Sequence, residues 1–274
     1  GLYDMEGLEV IEQVRPATAW GEPSDSITIG RFSGKKVAFL PRHGRGHFLP
    51  PSRVPFRANI AALKMLGVEE IVAFSAVGSL REEIAPRDFV LPTQLIDRTR
   101  SRPSTFFDGS IVVHATFGDP FSRPLAEALA RHAPVLQGVR LHREKTLVVM
   151  EGPAFSTRAE SQMYRSWGGD IINMSALPEA KLARELEIQY QMVCMSTDYD
   201  SWRVEEEAVT ADYIIGNLHA NAANAQALLK AFLQDPEERP NTLQGTIRAG
   251  IITAPDKRPP AERETLNLLL PDTF

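Results

Sequence analysis

The chain has 274 residues, of which 43% are hydrophobic and 24% are charged, and its formal net charge is −5. This acidic balance argues against a nucleic-acid-binding surface, and no uninterrupted apolar stretch approaches the roughly 20 residues of a membrane span. The single cysteine, Cys194, excludes an internal disulfide and favours a reducing compartment. No signal or transit peptide is visible. We therefore expect no nucleic-acid or membrane partner and a cytoplasmic location, with the nucleus as a second one.

Strand-like apolar runs alternate with helical patterns along the chain, which is typical of an α/β fold. The predicted strands are residues 37–40, 70–74, 89–96, 145–150, 170–173 and 188–196. The predicted helices are residues 56–66, 124–132, 158–167, 177–186 and 211–232, and Thr157 with Glu160 matches a capping box. We expect a single domain over residues 1–274, with a mixed, mostly parallel central β-sheet flanked by helices.

A loop rich in Arg, His and Gly, Pro41-Arg42-His43-Gly44-Arg45-Gly46-His47, follows the first predicted strand. Guanidinium groups grip oxyanions, and glycines let backbone amides approach an anion closely. A zinc site built on His43 and His47 is the competing interpretation, but no third ligand lies nearby. A basic nucleic-acid patch would need interleaved aromatic residues and positive overall charge. Phosphate is the anion that we favour.

Three more predicted strand ends carry small or polar residues. Ser75-Ala76-Val77-Gly78-Ser79-Leu80 suits an anion-binding turn, although small residues also permit any tight turn. Asn173-Met174-Ser175 offers a hydroxyl beside a thioether, although Met is more often core packing. Glu151-Gly152-Pro153-Ala154-Phe155-Ser156 carries an aromatic ring that could cover a flat ligand or pack in the core. In α/β folds such segments combine into one pocket.

The apolar run 188–195 ends in Ser196-Thr197-Asp198-Tyr199-Asp200 and so brings two carboxylates close together. Two neighbouring carboxylates raise the pKa of at least one of them, which provides a proton donor near neutral pH. A solvated turn or a helix cap is the alternative, because Asp is common in both. The chain contains neither a Gly-x-Ser-x-Gly elbow nor a Gly-x-Gly-x-x-Gly fingerprint.

Together these motifs resemble the purine nucleoside phosphorylase superfamily, most closely its trimeric S-methyl-5′-thioadenosine phosphorylases. The resemblance spans nearly the whole chain. It is carried by Arg42-His43-Gly44-Arg45, Gly78-Ser79-Leu80-Arg81-Glu82-Glu83, Asp97-Arg98-Thr99, Glu151-Gly152-Pro153, Asn173-Met174-Ser175 and Thr197-Asp198-Tyr199-Asp200-Ser201-Trp202.

The resemblance implies phosphorolysis of methylthioadenosine to adenine and 5-methylthioribose 1-phosphate. Inorganic phosphate would be a co-substrate, with no metal or organic cofactor. Asp198 and Asp200 would be the catalytic pair at N7 and N6 of the purine, with Asp198→Asn depressing turnover most. A 6-oxopurine nucleoside phosphorylase, a hydrolytic nucleosidase and a non-catalytic nucleoside-binding relative are the alternatives.

The family pattern also implies the remaining site residues. Phosphate would be held by Arg42, His43, Ser75, Ala76 and Ser175. The nucleoside would contact Met174, Phe155, Ser156, His114, Ala211, Ile214 and, from a neighbouring subunit of a homotrimer, Leu269. Ser175 and Ala211 stand where relatives often carry Thr and a bulkier apolar residue. Ser175 keeps the hydroxyl, whereas Ala211 would widen the 5′ pocket.

Both ends of the chain bear on this interpretation. The family opens with a strand ending in Gly-Gly-Ser/Thr-Gly, of which only Gly1 is present, so we expect a segment upstream. Near the other end, Leu266 to Leu270 provide apolar side chains that either fold onto their own core or reach a neighbouring subunit. The trimer interpretation predicts the second arrangement.

Overall fold

The computed structural model describes Leu2, residues 5–203 and residues 211–274, so the family motif at Gly1 lies outside the described residues. The strands are β1 Glu9–Val14, β2 Ile27–Phe32, β3 Lys35–Phe39, β4 Glu70–Ser79, β5 Phe89–Arg98, β6 Leu141–Met150, β7 Ile171–Asn173 and β8 Gln189–Asp198. The helices are α1 Phe56–Met65, α2 Arg123–Arg131, α3 Arg158–Ser166, α4 Glu179–Glu185, α5 Ala211–Gln234, α6 Thr246–Ala249 and α7 Pro260–Asn267.

The centre of the fold is a β-barrel with strand order β4-β7-β6-β5-β8. β4 and β8, β5 and β6, and β6 and β7 pair in parallel. The pairs β4–β7 and β5–β8, which close the barrel, are antiparallel. The predicted α/β fold with a mixed sheet is confirmed, and the sheet closes on itself. Every residue of β8 is buried, because the strand pairs with β4 and β5 and is packed by α2, α4 and α5. This burial suits the apolar residues Met192 to Met195 in its middle.

A second sheet holds β1, β2 and β3 in antiparallel order. The first predicted strand corresponds to β3, but it belongs to this sheet and not to the central one. β1 and β2 were not predicted. Five of the six residues of β1 are exposed, so this strand lacks the apolar alternation by which a half-buried strand is predicted.

β4 is longer than the sequence predicted. Residues 75–79 continue the strand and pair with β8 as far as Gly78 opposite Asp198, so the predicted anion-binding turn at Ser75 is wrong. The buried side chains of Val77 and Ser79 keep this segment in the barrel. Ser75 and Gly78 therefore have positions fixed by strand geometry.

Helix ends and the C-terminal region complete the fold. The predicted capping box is confirmed, because Thr157 and Glu160 satisfy each other's backbone amides at the start of α3. α6 and α7 were not predicted. Leu266, Leu269 and Leu270 lie in a core cluster that also contains Ile111 and Ile247. No helix in the described ranges is long and apolar enough to cross a bilayer.

Candidate active site

The two predicted catalytic acids lie in the protein interior. Asp198 and Asp200 are 5% and 6% exposed, so the solvated-turn alternative is wrong. Gly78 of β4 lies against both acids: a Cβ added there would be 3.2 Å from Asp198 Oδ2 and 3.4 Å from Asp200 Cβ. A side chain at Gly78 would therefore press on the acid pair.

Each acid has its own environment. Thr197 Oγ1 lies 2.7 Å from Asp198 Oδ1, and Asn217 of α5 donates to the carbonyl of Thr197 over 2.7 Å. Burial raises the pKa of Asp200, while the hydroxyls of Ser161 and Ser156 act in the opposite direction. Asp200 Oδ2 is buried without a hydrogen-bond partner among the described residues.

Arg42, predicted to hold phosphate, is fixed by a carboxylate that the sequence did not reveal. Its Nε and Nη2 donate to Glu179 Oε2 and Oε1 over 2.6 and 2.7 Å, and the hydroxyl of Tyr190 donates to Glu179 Oε1 over 2.8 Å. Although burial opposes the charge, Glu179 raises the pKa of Arg42. Arg42 Nη1 lies 3.4 Å from the carbonyl of Phe74, next to Ser75. The guanidinium is thus charged and held beside β4.

His43 follows Arg42, and its ring is neutral at physiological pH. Burial lowers the pKa of His43 to about 4. Its Nδ1 lies 2.8 Å from the carbonyl of Leu49, and a carbonyl only accepts, so Nδ1 carries the proton. Nε2 is then an acceptor. The ring stacks on His47 with centroids 4.3 Å apart.

Two predicted phosphate-binding hydroxyls meet although they are far apart in sequence. Ser75 Oγ and Ser175 Oγ are 3.0 Å apart, and the amide of Asn173 donates to Ser75 Oγ over 3.2 Å. Ala76 follows Ser75 within β4. The C-terminal end of β7 and the middle of β4 therefore form one polar cluster next to Arg42.

The residues predicted to contact sugar and base lie on two segments, one containing Met174 and the other Phe155 and Ser156. Gly152 has a positive φ of 72°, and a Cβ there would be 2.4 Å from Met174 Sδ, so the segment after β6 lies directly on Met174. Ser156 is buried, and its carbonyl accepts from Ser201 Oγ over 2.7 Å. Phe155 is 47% exposed. The alternative that Phe155 is a core residue is therefore wrong.

The residues predicted around the 5′ group are only partly brought to this region. Ile214 precedes Asn217 by three residues on α5 and so shares its face. Ala211 begins α5, but its side chain lies outside the described part of the chain. His114 is exposed, and its backbone amide donates to the carbonyl of Gly250. No hydrogen bond within the described ranges joins His114 to the acids.

Leu269 requires a correction. It is 3% exposed within its own chain, whereas Leu268 is 76% exposed. Leu266, Leu269 and Leu270 are folded onto their own core, which was the alternative that the sequence left open. Leu268, and not Leu269, is the leucine of this segment with surface to offer a neighbour.

Sequence reasoning missed Glu179, which holds Arg42, and Asn217, which bonds the strand of the acids. Glu179 lies 137 residues from Arg42, and no local pattern connects the two.

A cavity of about 840 Å³ lies at the other end of β8 and is lined by residues such as Gln94, Arg143, Arg184 and Gln191. None of the predicted site residues lines it. In the described residues, no group of three His, Cys, Asp or Glu is arranged to hold a metal ion.

Comparison with known proteins gives a consistent result. The model of the phosphorylase superfamily matches residues 4–234. S-methyl-5′-thioadenosine phosphorylase of Candida albicans (strain WO-1) is 51% identical over 294 residues, covering 99% of this chain and 86% of the relative.

Solved structures agree. A methylthioadenosine phosphorylase sourced from an antarctic soil metagenomic library superposes with a TM-score of 0.94 at 45% identity, covering 99% of this chain and 96% of the other. Methylthioadenosine phosphorylase from Schistosoma mansoni in complex with adenine gives a TM-score of 0.86 at 31% identity, with 90% and 95% covered.

Proposed function

The chain belongs to the phosphorylase superfamily, and we propose that it cleaves S-methyl-5′-thioadenosine with phosphate, giving adenine and 5-methylthioribose 1-phosphate. It would then be a pentosyltransferase, like the relatives to which it is similar over its full length.

The observation that carries the proposal is the arrangement of two chemically different clusters along β4. Ser75 belongs to the polar cluster beside Arg42, and Gly78 lies against Asp198 and Asp200. Three residues of a strand span about 10 Å, which leaves room for a sugar ring between an anion and a base. Phosphorolysis needs a nucleophilic anion on one side of the sugar and an acid at the leaving purine on the other.

Phosphate would bind at the first cluster. Arg42 is the charged donor there, and the hydroxyls of Ser75 and Ser175 are further hydrogen-bond partners. The neutral ring of His43 would accept, through Nε2, the remaining O–H of hydrogen phosphate. Bound phosphate would attack the anomeric carbon and stabilise the positive charge that develops on the sugar as the glycosidic bond breaks.

The purine would leave at the second cluster. Negative charge develops on the base as the bond breaks, and a proton delivered to N7 neutralises it. Burial raises the pKa of Asp200, so this carboxyl group retains its proton to a higher pH than an ordinary one. Proton delivery to N7 is assigned to Asp198 and Asp200 together.

The same acids favour a 6-aminopurine. A carboxylate accepts a hydrogen bond from the exocyclic N6 amine, whereas the O6 of inosine would set one acceptor against another. Leaving such buried groups unpaired costs several kcal/mol, roughly a thousandfold in specificity. Adenine-containing nucleosides are therefore the proposed substrates, and inosine should be a poor one.

The methylthio group and the homotrimer belong together in this proposal. Glu262 of α7 accepts from the amides of Ser110 and Ile111, and the amide of Ile252 donates to the carbonyl of Val112. In these bonded segments Val112, Ile252 and Leu268 are 45%, 65% and 76% exposed. His114 lies two residues after Val112 in the chain. Such apolar surface is typical of an interface. In a closed ring each subunit would present it to the next subunit's 5′ pocket.

No metal or organic cofactor enters the proposed chemistry, because phosphate is the nucleophile and a side-chain acid assists the leaving group. A cytoplasmic location, with the nucleus as a second site, is part of the same proposal. It is supported by the buried free thiol of Cys194, which suits a reducing compartment.

The proposal is tested by measuring adenine release from methylthioadenosine with and without inorganic phosphate. We expect turnover only with phosphate, faster with methylthioadenosine than with adenosine, and far slower with inosine. Turnover indifferent to phosphate would identify a hydrolase instead. Tight nucleoside binding without adenine release would identify a binding protein.

A further inference from the structure

Arg102 lies outside every motif that the sequence singled out, yet its side chain bonds four backbone carbonyls and one carboxylate near the proposed site. It follows β5 in the chain, and its side chain is only 1% exposed. Nη1 donates to the carbonyls of Met174 and Leu177 over 2.6 and 2.5 Å. Nη2 donates to the carbonyl of Glu151 over 2.6 Å.

These acceptors belong to two different segments. Met174 and Leu177 flank Ser175, whose hydroxyl is part of the polar cluster with Ser75. Glu151 begins the segment that continues through Gly152 to Ser156, and Gly152 lies directly on Met174. One planar guanidinium therefore joins the segment that would hold phosphate and sugar to the segment that would border the purine.

Glu151 extends this connection to a third segment. Its carboxylate accepts from Arg102 Nε over 3.2 Å, from the amide of Arg100 over 2.5 Å and from Ser52 Oγ over 2.8 Å. Ser52 lies shortly after the Arg42–His47 loop in the chain. The ends of three segments are thus fixed relative to one another by the single pair Arg102–Glu151.

We propose that Arg102 is a positioning residue for phosphorolysis, holding the phosphate and sugar segment in register with the purine segment. The inference rests on the proposed function. A guanidinium suits this task because its N–H donors lie in one rigid plane and because the group stays charged. Misplacement of reacting groups by about 1 Å costs roughly a hundredfold in rate, so the effect should appear in kcat more than in either KM.

The test compares Arg102→Ala and Arg102→Lys with a matched control, Arg239→Ala. Arg239 also bonds a glutamate, with Nε and Nη2 3.1 and 3.0 Å from Glu70, and its side chain is 9% exposed. It also faces a phenylalanine ring, as Arg102 does. Glu70 begins β4, at the end away from Gly78.

We expect Arg102→Ala to lower kcat at least about a hundredfold, with both KM values within a few-fold of wild type. Arg239→Ala should lose thermal stability but keep kcat within threefold. Where Arg102→Ala does not fold, Arg102→Lys should fold and lower kcat at least tenfold. A kcat within threefold of wild type in the folded Arg102 variant would overturn the inference. Failure of the wild-type enzyme to use phosphate would instead overturn the proposed function.

Discussion

Arg42 and Glu179 form a bidentate ion pair inside the protein, with Nε and Nη2 of the arginine 2.6 and 2.7 Å from the two carboxylate oxygens. This pairing fixes the plane of the guanidinium and leaves Nη1 pointing to the β4 backbone at Phe74. The hydroxyl of Tyr190 donates to the same carboxylate, at Oε1. The arginine that would bind phosphate is therefore oriented before any ligand arrives.

Replacing Glu179 by Gln should weaken phosphate binding selectively. The amide oxygen of Gln still accepts one hydrogen bond from Arg42, so the fold should persist. The second hydrogen bond is lost, and the guanidinium can then rotate. We expect the KM for phosphate to rise about tenfold, the value of a single charge-assisted hydrogen bond. The KM for methylthioadenosine should change little. Glu70→Gln, which disturbs the pair with Arg239, is the control and should change neither constant.

The acid pair should respond differently to each single substitution. Asp198→Asn should depress turnover of methylthioadenosine most, and Asp200→Asn should raise the ratio of inosine to methylthioadenosine turnover, because Asn can donate to O6. We expect losses of about a hundredfold or more when general-acid assistance is removed. Steady-state kinetics on both nucleosides measure this. Unchanged kcat in both variants would remove the acids from the mechanism.

The raised pKa of Glu185 should make the free energy of unfolding depend on pH, independently of catalysis. Burial raises the pKa of Glu185 from 4.5 to about 7 in the folded protein, even though Phe106 N–H and Thr105 Oγ1 donate to it. Between these two values the folded state binds the proton more tightly, so stability falls as pH rises from about 4.5 to 7. Glu185→Gln should flatten that decline in urea unfolding. An identical slope in the variant would contradict the prediction.

The C-terminal leucines should separate stability from substrate binding. Leu269→Ala removes a buried side chain and should cost about 2–5 kcal/mol of unfolding free energy. Leu268→Ala removes an exposed one and should leave stability within about 0.5 kcal/mol. If the trimer carries Leu268 to a neighbour's pocket, this second variant should raise the KM for methylthioadenosine but not for phosphate. A fully active monomer in light scattering would exclude the trimer.

The sequence predicted the elements whose own residues carry the signal. The buried run before Asp198 indicated β8, and Thr157 with Glu160 marked the start of α3. It could not predict features that depend on distant partners. β4 continues past Ser75 because β8 pairs with it, and Leu269 is buried because Ile111 and its neighbours form a core around it.

The candidate site shows the same division. The motifs identified Arg42, Ser75, Ser175 and the acid pair as candidates, because each stands in a short motif of its own that matches the family pattern. Glu179 and Arg102 act through side chains and carbonyls that lie 137 and 72 residues away. Only the folded chain shows that Glu179 bonds Arg42 and that Arg102 bonds the carbonyl of Met174.

The fate of phosphate tests the proposed reaction most directly. Methylthioadenosine and inorganic phosphate should be incubated with the enzyme while ³¹P NMR follows phosphate and absorbance follows adenine. We expect one phosphate consumed for each adenine released, with the signal of a sugar 1-phosphate growing at the same rate. Adenine released alongside free methylthioribose, with the inorganic phosphate signal unchanged, would contradict phosphorolysis.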